Sequence, residues 1–280
     1  WSLGVPAVVH TVHGAPFHPY ESWPARAAIR ACEWWAARRC HAMISVADRM
    51  TELMVGGNVA PCGKFTTIYS GMEVEPFLES DQRRQHARHE LGYAPEHVVI
   101  AKVARLFHLK GHEYLVRAAE QVVRTVPNAR FLLVGDGILK DRIHDQIDAA
   151  GLTAHFQFTG LVPPQRIPDL LAASDLVVHA SLREGLARVL PQALISGKPV
   201  ISFDVDGARE VVLPNETGFL VPPRNATALA VAIARLAVAP ELRHRLGQEG
   251  RRRFSDVFRH EHMTAQIRQL YLRLLGEEPT

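Results

Sequence analysis

Three observations predict an α/β fold built on parallel sheet with helices on both faces. From about residue 96, short apolar runs alternate with segments of helical periodicity. The runs lack the polar alternation of a half-solvated strand, as fully buried parallel strands do. Glycines punctuate the junctions. The length of 280 residues suits two domains of ordinary size.

The elements follow in order. Residues 5–11 (VPAVVHT) read as a strand ending at His13-Gly14. Residues 23–46 read as largely helical, and residues 65–69 as strand-like before Ser70-Gly71. The polar stretch 79–90 (ESDQRRQHARHE) reads as the passage between domains. Residues 98–104 (VVIAKVA) form the next expected strand. A helix follows over 114–126, with apolar residues at Leu115, Ala118, Ala119, Val122 and Val123, stopped by Pro127-Asn128. Then come strand 131–134, helix 139–150, strand 155–159, helix 167–173, strand 176–180, helix 187–196 closed by Gly197, and strand 199–203. Residues 252–275 read as one long amphipathic helix. This gives a partial first domain over 1–78, a linker over 79–95, a second domain over 96–251, and a final helix over 252–280.

Composition narrows the class. Hydrophobic residues make up 47% and charged residues 22%, a globular balance. A net charge of +3 is too small to argue for nucleic acid. Cys32, Cys40 and Cys62 are odd in number and irregularly spaced, giving neither a disulfide framework nor a zinc motif. A reducing, cytoplasmic setting follows, with a peripheral position at the inner membrane as the variant. No apolar run approaches the ~18–20 residues of a spanning helix. The opening at Trp1, in a loop before an apolar strand, reads as a chain entered midway.

Ligands of doubly wound sheets sit beyond the carboxyl ends of the strands. Arg105 and Lys110 stand on such a loop, just before an expected helix. Two cations beside a helix start make an anion site, with Arg forking onto phosphate oxygens and Lys acting as a compact charge. Two solvated surface cations are the plain alternative. Glu184 lies on another strand-end loop, with Gly185 and Leu186 at an expected helix start and Gln192 two turns on. A carboxylate beside phosphate is unfavourable unless it binds hydroxyls, so a sugar is its natural partner; a dipole-stabilised acid at a helix start is the other reading.

Taken in order, the segments VARLFHLKG (103–111), FLLVGDG (131–137), FTG (158–160), EGL (184–186) with Gln192 and GKPV (197–200), and NETGFLVP (215–222) resemble the family 4 glycosyltransferases. The resemblance runs from about residue 5 to the end. It includes IYSGME (68–73), similar to the interdomain hinge of that family. It implies a GT-B fold of two Rossmann-like domains, the first incomplete here, and a retaining, metal-independent transferase. The donor implied is a UDP-sugar or GDP-sugar; the acceptor is a sugar or a lipid-linked sugar. No cofactor is implied. Residue by residue, Arg105 and Lys110 match the pair that grips the diphosphate. Glu184 matches the first Glu of a paired motif near the donor sugar. Gln192 stands where the second Glu binds ribose, a departure that loses a charge and an acceptor oxygen. Gly185 and Leu186 would offer amides to phosphate. Gly135 lies at a strand end facing the donor, and Leu161 and Val162 fit the region that receives the base. His13 is similar to a histidine beside the reacting sugar; a satisfied core histidine is the alternative. A nucleotide-sugar-binding module without turnover is the competing function.

Three features are expected to be decoys. Asp204-Val205-Asp206 spells a metal motif in the wrong context. Gly135-Asp136-Gly137 lacks the third glycine of a dinucleotide fingerprint. His10, His13 and His18 do not space like a zinc site. In residues 23–49, Trp23, Trp34 and Trp35 join Arg26, Arg30, Arg38, Arg39 and Arg49 against Glu33 and Asp48. This helix reads either as core-facing with a solvated Arg face or as a contact with an anionic membrane.

Overall fold

The computed structural model describes residues 1–18 and 20–277. The chain divides into two compact units. One comprises Trp1–Glu73, Arg183–Ala187 and Asp256–Thr280; the other comprises Val74–Leu182 and Arg188–Ser255.

The first unit holds a three-stranded parallel sheet of β1 (Val9–Val12), β2 (Ala42–Ser45) and β3 (Phe65–Thr67), in that spatial order. The register sets Val9 opposite Ala42 and Met43 opposite Phe65. Helix α1 (Trp23–Ala37) connects β1 to β2, and α2 (Asp48–Gly56) follows β2. Val12, Met43, Met54 and Val59 pack together as one core.

The second unit opens with α3 (Glu75–Leu78) and α4 (Ser80–Glu90). It then alternates β4 (Val98–Val103), α5 (His112–Thr125), β5 (Ala129–Val134), α6 (Lys140–Ala149), β6 (Phe156–Gly160), α7 (Ile167–Ala173), β7 (Leu176–His179), α8 (Val189–Ile195) and β8 (Val200–Phe203). Strand β9 (Gly218–Val221) and helices α9 (Ala226–Ala237) and α10 (Pro240–Phe254) complete it. The sheet is parallel throughout, in the order β6-β5-β4-β7-β8-β9. Val99, Ile100 and Ala101 of β4 are fully buried, which is why that strand has no polar alternation. Ile100, Leu115, Phe131, Leu133, Val178, Ile201, Leu229 and Ile233 share the large core. Successive strands run outward from β4 to one side, then the chain returns and builds β7, β8 and β9 on the other. The carboxyl ends of β4 and β7 are therefore the topological switch point, where open α/β sheets bind ligands. The loop after β4 begins there.

Four expectations change. The stretch 23–46 is not continuous helix: α1 ends before Arg38, and the fully buried run Ala42-Met43-Ile44-Ser45 forms β2. The polar stretch after residue 79 is helix α4 inside the second unit. Arg84 and Arg88, one turn apart, plug the carbonyl end of α7. Arg84 donates to the Ala172 and Ser174 oxygens at 3.1 and 2.7 Å and Arg88 to Ala173 at 3.2 Å, and both reach Asp175. The long helix expected over 252–275 is broken. Helix α10 ends at Phe254, and α11 (His260–Leu275) belongs to the first unit. The break is held by buried Phe258 and by main-chain bonds from Met72 N–H to the Phe258 oxygen and from His260 N–H to the Met72 oxygen. Last, α8 begins at Val189, not at 187.

Candidate functional site

In the second unit, the loop from Ala104 to Gly111 is locked by backbone against its neighbours. Leu106 N–H donates to the Asp136 oxygen at 2.9 Å, and Leu139 N–H returns to the Leu106 oxygen at 2.9 Å. Leu182 N–H donates to the Leu109 oxygen at 2.8 Å, tying in the chain after β7. Two glycines allow this closeness. Gly111 has φ +65°, and a methyl there would lie 1.9 Å from the Ala180 oxygen. Gly135 has φ +136°, and a methyl there would lie 2.3 Å from the Ala104 oxygen. Any L side chain at either position would push the loop off its neighbours.

This loop carries Arg105 and Lys110. The Arg105 side chain is exposed, with its guanidinium 5.0 Å from the centre of the Phe107 ring; Lys110 is half-buried. Gly111 caps the 14-residue α5, whose amino end adds partial positive charge. Gly135 is next in the row. Its N–H donates to the Gly160 oxygen at 3.0 Å, which places Leu161 and Val162 directly beyond. Leu161 is 84% exposed. Arg105, Lys110, Gly135 and Leu161-Val162 thus lie along the carboxyl ends of β4, β5 and β6. Gln192 lies on α8. It is the fourth residue of that helix rather than two turns in, because Pro191 must sit in the first turn.

In the first unit, His13, Glu184, Gly185 and Leu186 come together. A methyl on Gly185 would lie 2.0 Å from the His13 oxygen, so the two main chains touch. Arg183 fastens the same loop. Its guanidinium donates to the Ala15 and Pro16 oxygens at 3.3 and 3.2 Å and reaches Glu21 at 3.3 Å. Leu186 packs with Ala15, Val46, Ala47 and Met50. That anchoring holds Gly185 and Leu186 in a turn ahead of α8, so they are not the helix start expected for them. His13 is exposed and Glu184 half-buried.

Sequence reasoning passed over Arg183 and His112. Both stand next to residues it singled out, and their role is visible only as contacts to main-chain oxygens. Asp204 is held by Arg209, whose Nε lies 3.0 Å away. No cluster of three metal-capable side chains occurs among the described residues. On α1 only Ala37 is buried. Trp23, Trp34 and Trp35 are 77%, 41% and 56% exposed in this chain. Arg38 stacks over Trp34 at 3.4 Å and Arg39 over Trp35 at 3.9 Å.

Residues 83–253 match the sequence family described as glycosyl transferases group 1, and residues 1–76 match the one described as glycosyltransferase family 4. An alpha-D-kanosaminyltransferase of Streptomyces kanamyceticus is 28% identical over 253 residues, covering 88% of this chain and 65% of that protein. The UDP-Gal:alpha-D-GlcNAc-diphosphoundecaprenol alpha-1,3-galactosyltransferase of Escherichia coli is 26% identical over 236 residues, covering 83% of this chain and 60% of that protein. Among solved structures, Anabaena Alr3699/HepE in complex with UDP and glucose superposes with a TM-score of 0.84 at 26% identity, covering 94% of this chain and 70% of that one. The chain therefore spans less than two thirds of the length of both sequence relatives.

Proposed function

Because the chain belongs to the glycosyl transferases group 1 family, we propose that it transfers a sugar from a nucleoside-diphosphate sugar to an acceptor hydroxyl, with the anomeric configuration retained. The observation that carries the reading is the pair Arg105 and Lys110 on a backbone-locked loop at the switch point of a parallel sheet. Negative charge develops on the diphosphate as the glycosidic bond breaks. Arg105, Lys110 and the amino end of α5 stabilise it where it appears, in a loop that needs no reorganisation. The acceptor hydroxyl attacks from the leaving-group face and passes its proton to a phosphate oxygen. Glu184 binds donor-sugar hydroxyls, His13 orients the reacting sugar, Gln192 binds ribose, and Leu161-Val162 cover the base. Protein cations replace a metal ion, so chelators leave turnover unchanged.

UDP-glucose is the first donor to test, since the HepE structure holds UDP and glucose. R105A and K110A each lower turnover at least ~100-fold, the scale of losing an oxyanion donor. Near-wild-type turnover in both variants refutes the assignment. Tight nucleotide binding by the wild type with no transfer or donor hydrolysis favours the binding-module reading, which the uncharged Gln192 suits.

A second reading concerns where the protein works. The solvent face of α1 presents Trp23, Arg30, Trp34 and Trp35, with Ala28 and Ala31 between them, and Arg38 and Arg39 follow directly at its carboxyl end. Glu33 is turned inward to His10 at 3.2 Å, leaving that face cationic. Indoles with guanidiniums and no acid match an anionic lipid interface, so we propose peripheral membrane contact and a lipid-linked acceptor. The undecaprenol-linked substrate of the Escherichia coli relative fits this. The protein is expected to sediment with vesicles containing phosphatidylglycerol, not with phosphatidylcholine alone, and W34S/W35S abolishes the effect. Equal binding by that variant, or protection of α1 from hydrogen exchange without vesicles, refutes it.

A further inference from the structure

We propose that His112 is a positioning residue for the diphosphate site, its ring donating the hydrogen bond that fixes the main chain at Arg105. The inference rests on the donor-site reading of Arg105 given above. His112 is the first residue of α5 and is 2% exposed. Its Nε2 lies 3.0 Å from the Arg105 carbonyl oxygen. A carbonyl only accepts, so Nε2 carries the proton. The same oxygen accepts the Phe107 N–H at 2.8 Å, so both of its lone pairs are engaged. The contact closes the loop on itself from residue 105 to residue 112, while Gly111 seats it on Ala180.

The other ring nitrogen explains why the contact matters. Nδ1 is buried with no hydrogen-bond partner among the described residues. An unmet buried nitrogen is a standing cost that a phenyl ring or an aliphatic chain would avoid. An imidazole at this position is understandable if its Nε2–H is needed. The ring also stays uncharged. Burial, then the neighbouring Lys102 and Lys110 ammoniums, push its pKa down to about 3 against the opposing Arg105 carbonyl. His112 is thus a constant neutral donor at any working pH. It does not bind the anion itself; it sets the place from which Arg105 reaches.

The test uses R105A, H112F and H112Q in the 280-residue chain. UDP and GDP are titrated by calorimetry, the tighter ligand of the wild type is kept, and Tm is recorded for each variant. Phe fills the ring's space without a donor; Gln carries an amide N–H of comparable reach. H112F is expected to weaken nucleotide binding about 10-fold, the equivalent of one well-placed hydrogen bond. H112Q is expected to recover most of that loss. If H112F does not fold, H112M takes its place with the same expectation. Wild-type affinity in H112F or H112M, whatever the change in Tm, overturns the proposal, and so does a Gln variant no better than Phe. Unchanged affinity in R105A instead overturns the donor-site reading. If neither nucleotide binds the wild type, both fall.

Discussion

Gly185→Ala offers the sharpest test of how the Glu184 loop is held. The added methyl would stand 2.0 Å from the His13 carbonyl oxygen and 2.9 Å from its carbon, whereas contacts under 3.0 Å are essentially never seen. The loops must separate by 3.0 − 2.0, or about 1 Å. The obstacle is main chain, so no side-chain rotation relieves it. Arg183 also resists the movement, because its bonds to Ala15 and Pro16 hold the same two loops together. A displacement of ~1 Å at reacting groups costs about 100-fold in rate. G185A is therefore expected to lower kcat/KM about 100-fold, measured as UDP release from UDP-glucose with and without acceptor. The overpacking cost of ~1–3 kcal/mol leaves the protein folded, with Tm lowered by several degrees. Gly14→Ala is the matched control. Its methyl would meet Gly185 N at 3.7 Å, an ordinary contact, and G14A should behave as wild type. Wild-type kcat/KM in G185A, or equal losses in both variants, would sink the claim that this backbone contact positions Glu184 and His13.

Two further outcomes are expected. Introducing a carboxylate with Q192E should tighten nucleotide-sugar binding several-fold, because a charged acceptor bonds a hydroxyl about twice as strongly as an amide; weaker or equal affinity by calorimetry would overturn the proposed ribose role of Gln192. Lys198 is 6% exposed and donates to the Ala172 oxygen at 3.2 Å; burial, with Arg84 adding to it, pushes its pKa down to about 7. Between that value and the ~10.4 of the unfolded chain, the unfolded state holds the extra proton, so stability rises with pH across the window. K198M should flatten the rise in chemical denaturation between pH 7 and pH 9, and an identical slope in both proteins would contradict the assignment.

The α/β architecture was legible because strands buried on both faces have no alternation to confuse with amphipathic helix, as in β4 and β5. The stretch 23–46 misled because β2 is only four residues long and follows a helix of similar apolar content. Arg38 and Arg39 mark the boundary, but solvated cations can as well continue a helix. The break between α10 and α11 was hidden for a different reason. It depends on Phe258 and on main-chain pairing with Met72, a contact nearly 190 positions away in sequence, and local periodicity carries no trace of it. The extent of α8 was misjudged at Leu186, which is partly buried against the cluster of Ala15, Val46, Ala47 and Met50 and lies ahead of the helix.

The site residues divide along a similar line. Arg105, Lys110, Glu184 and His13 could be proposed from sequence because their side chains have chemistry of their own, in a spacing that resembles a family. What places them is written in residues with little chemistry of their own. Gly111 and Gly135 matter for the atoms they lack, and Arg183 and His112 for bonds to carbonyl oxygens that any residue could have supplied. The loop's charge and its position are therefore separable. Replacing Arg105 removes the charge and leaves the loop seated by Gly111, Gly135 and His112. Replacing His112 keeps both cations and loosens their seat. If electrostatic stabilisation depends on cations fixed in advance, the second kind of change must weaken nucleotide binding although no charge is lost. A loop that grips as well after losing its internal anchor would mean that charge alone suffices here.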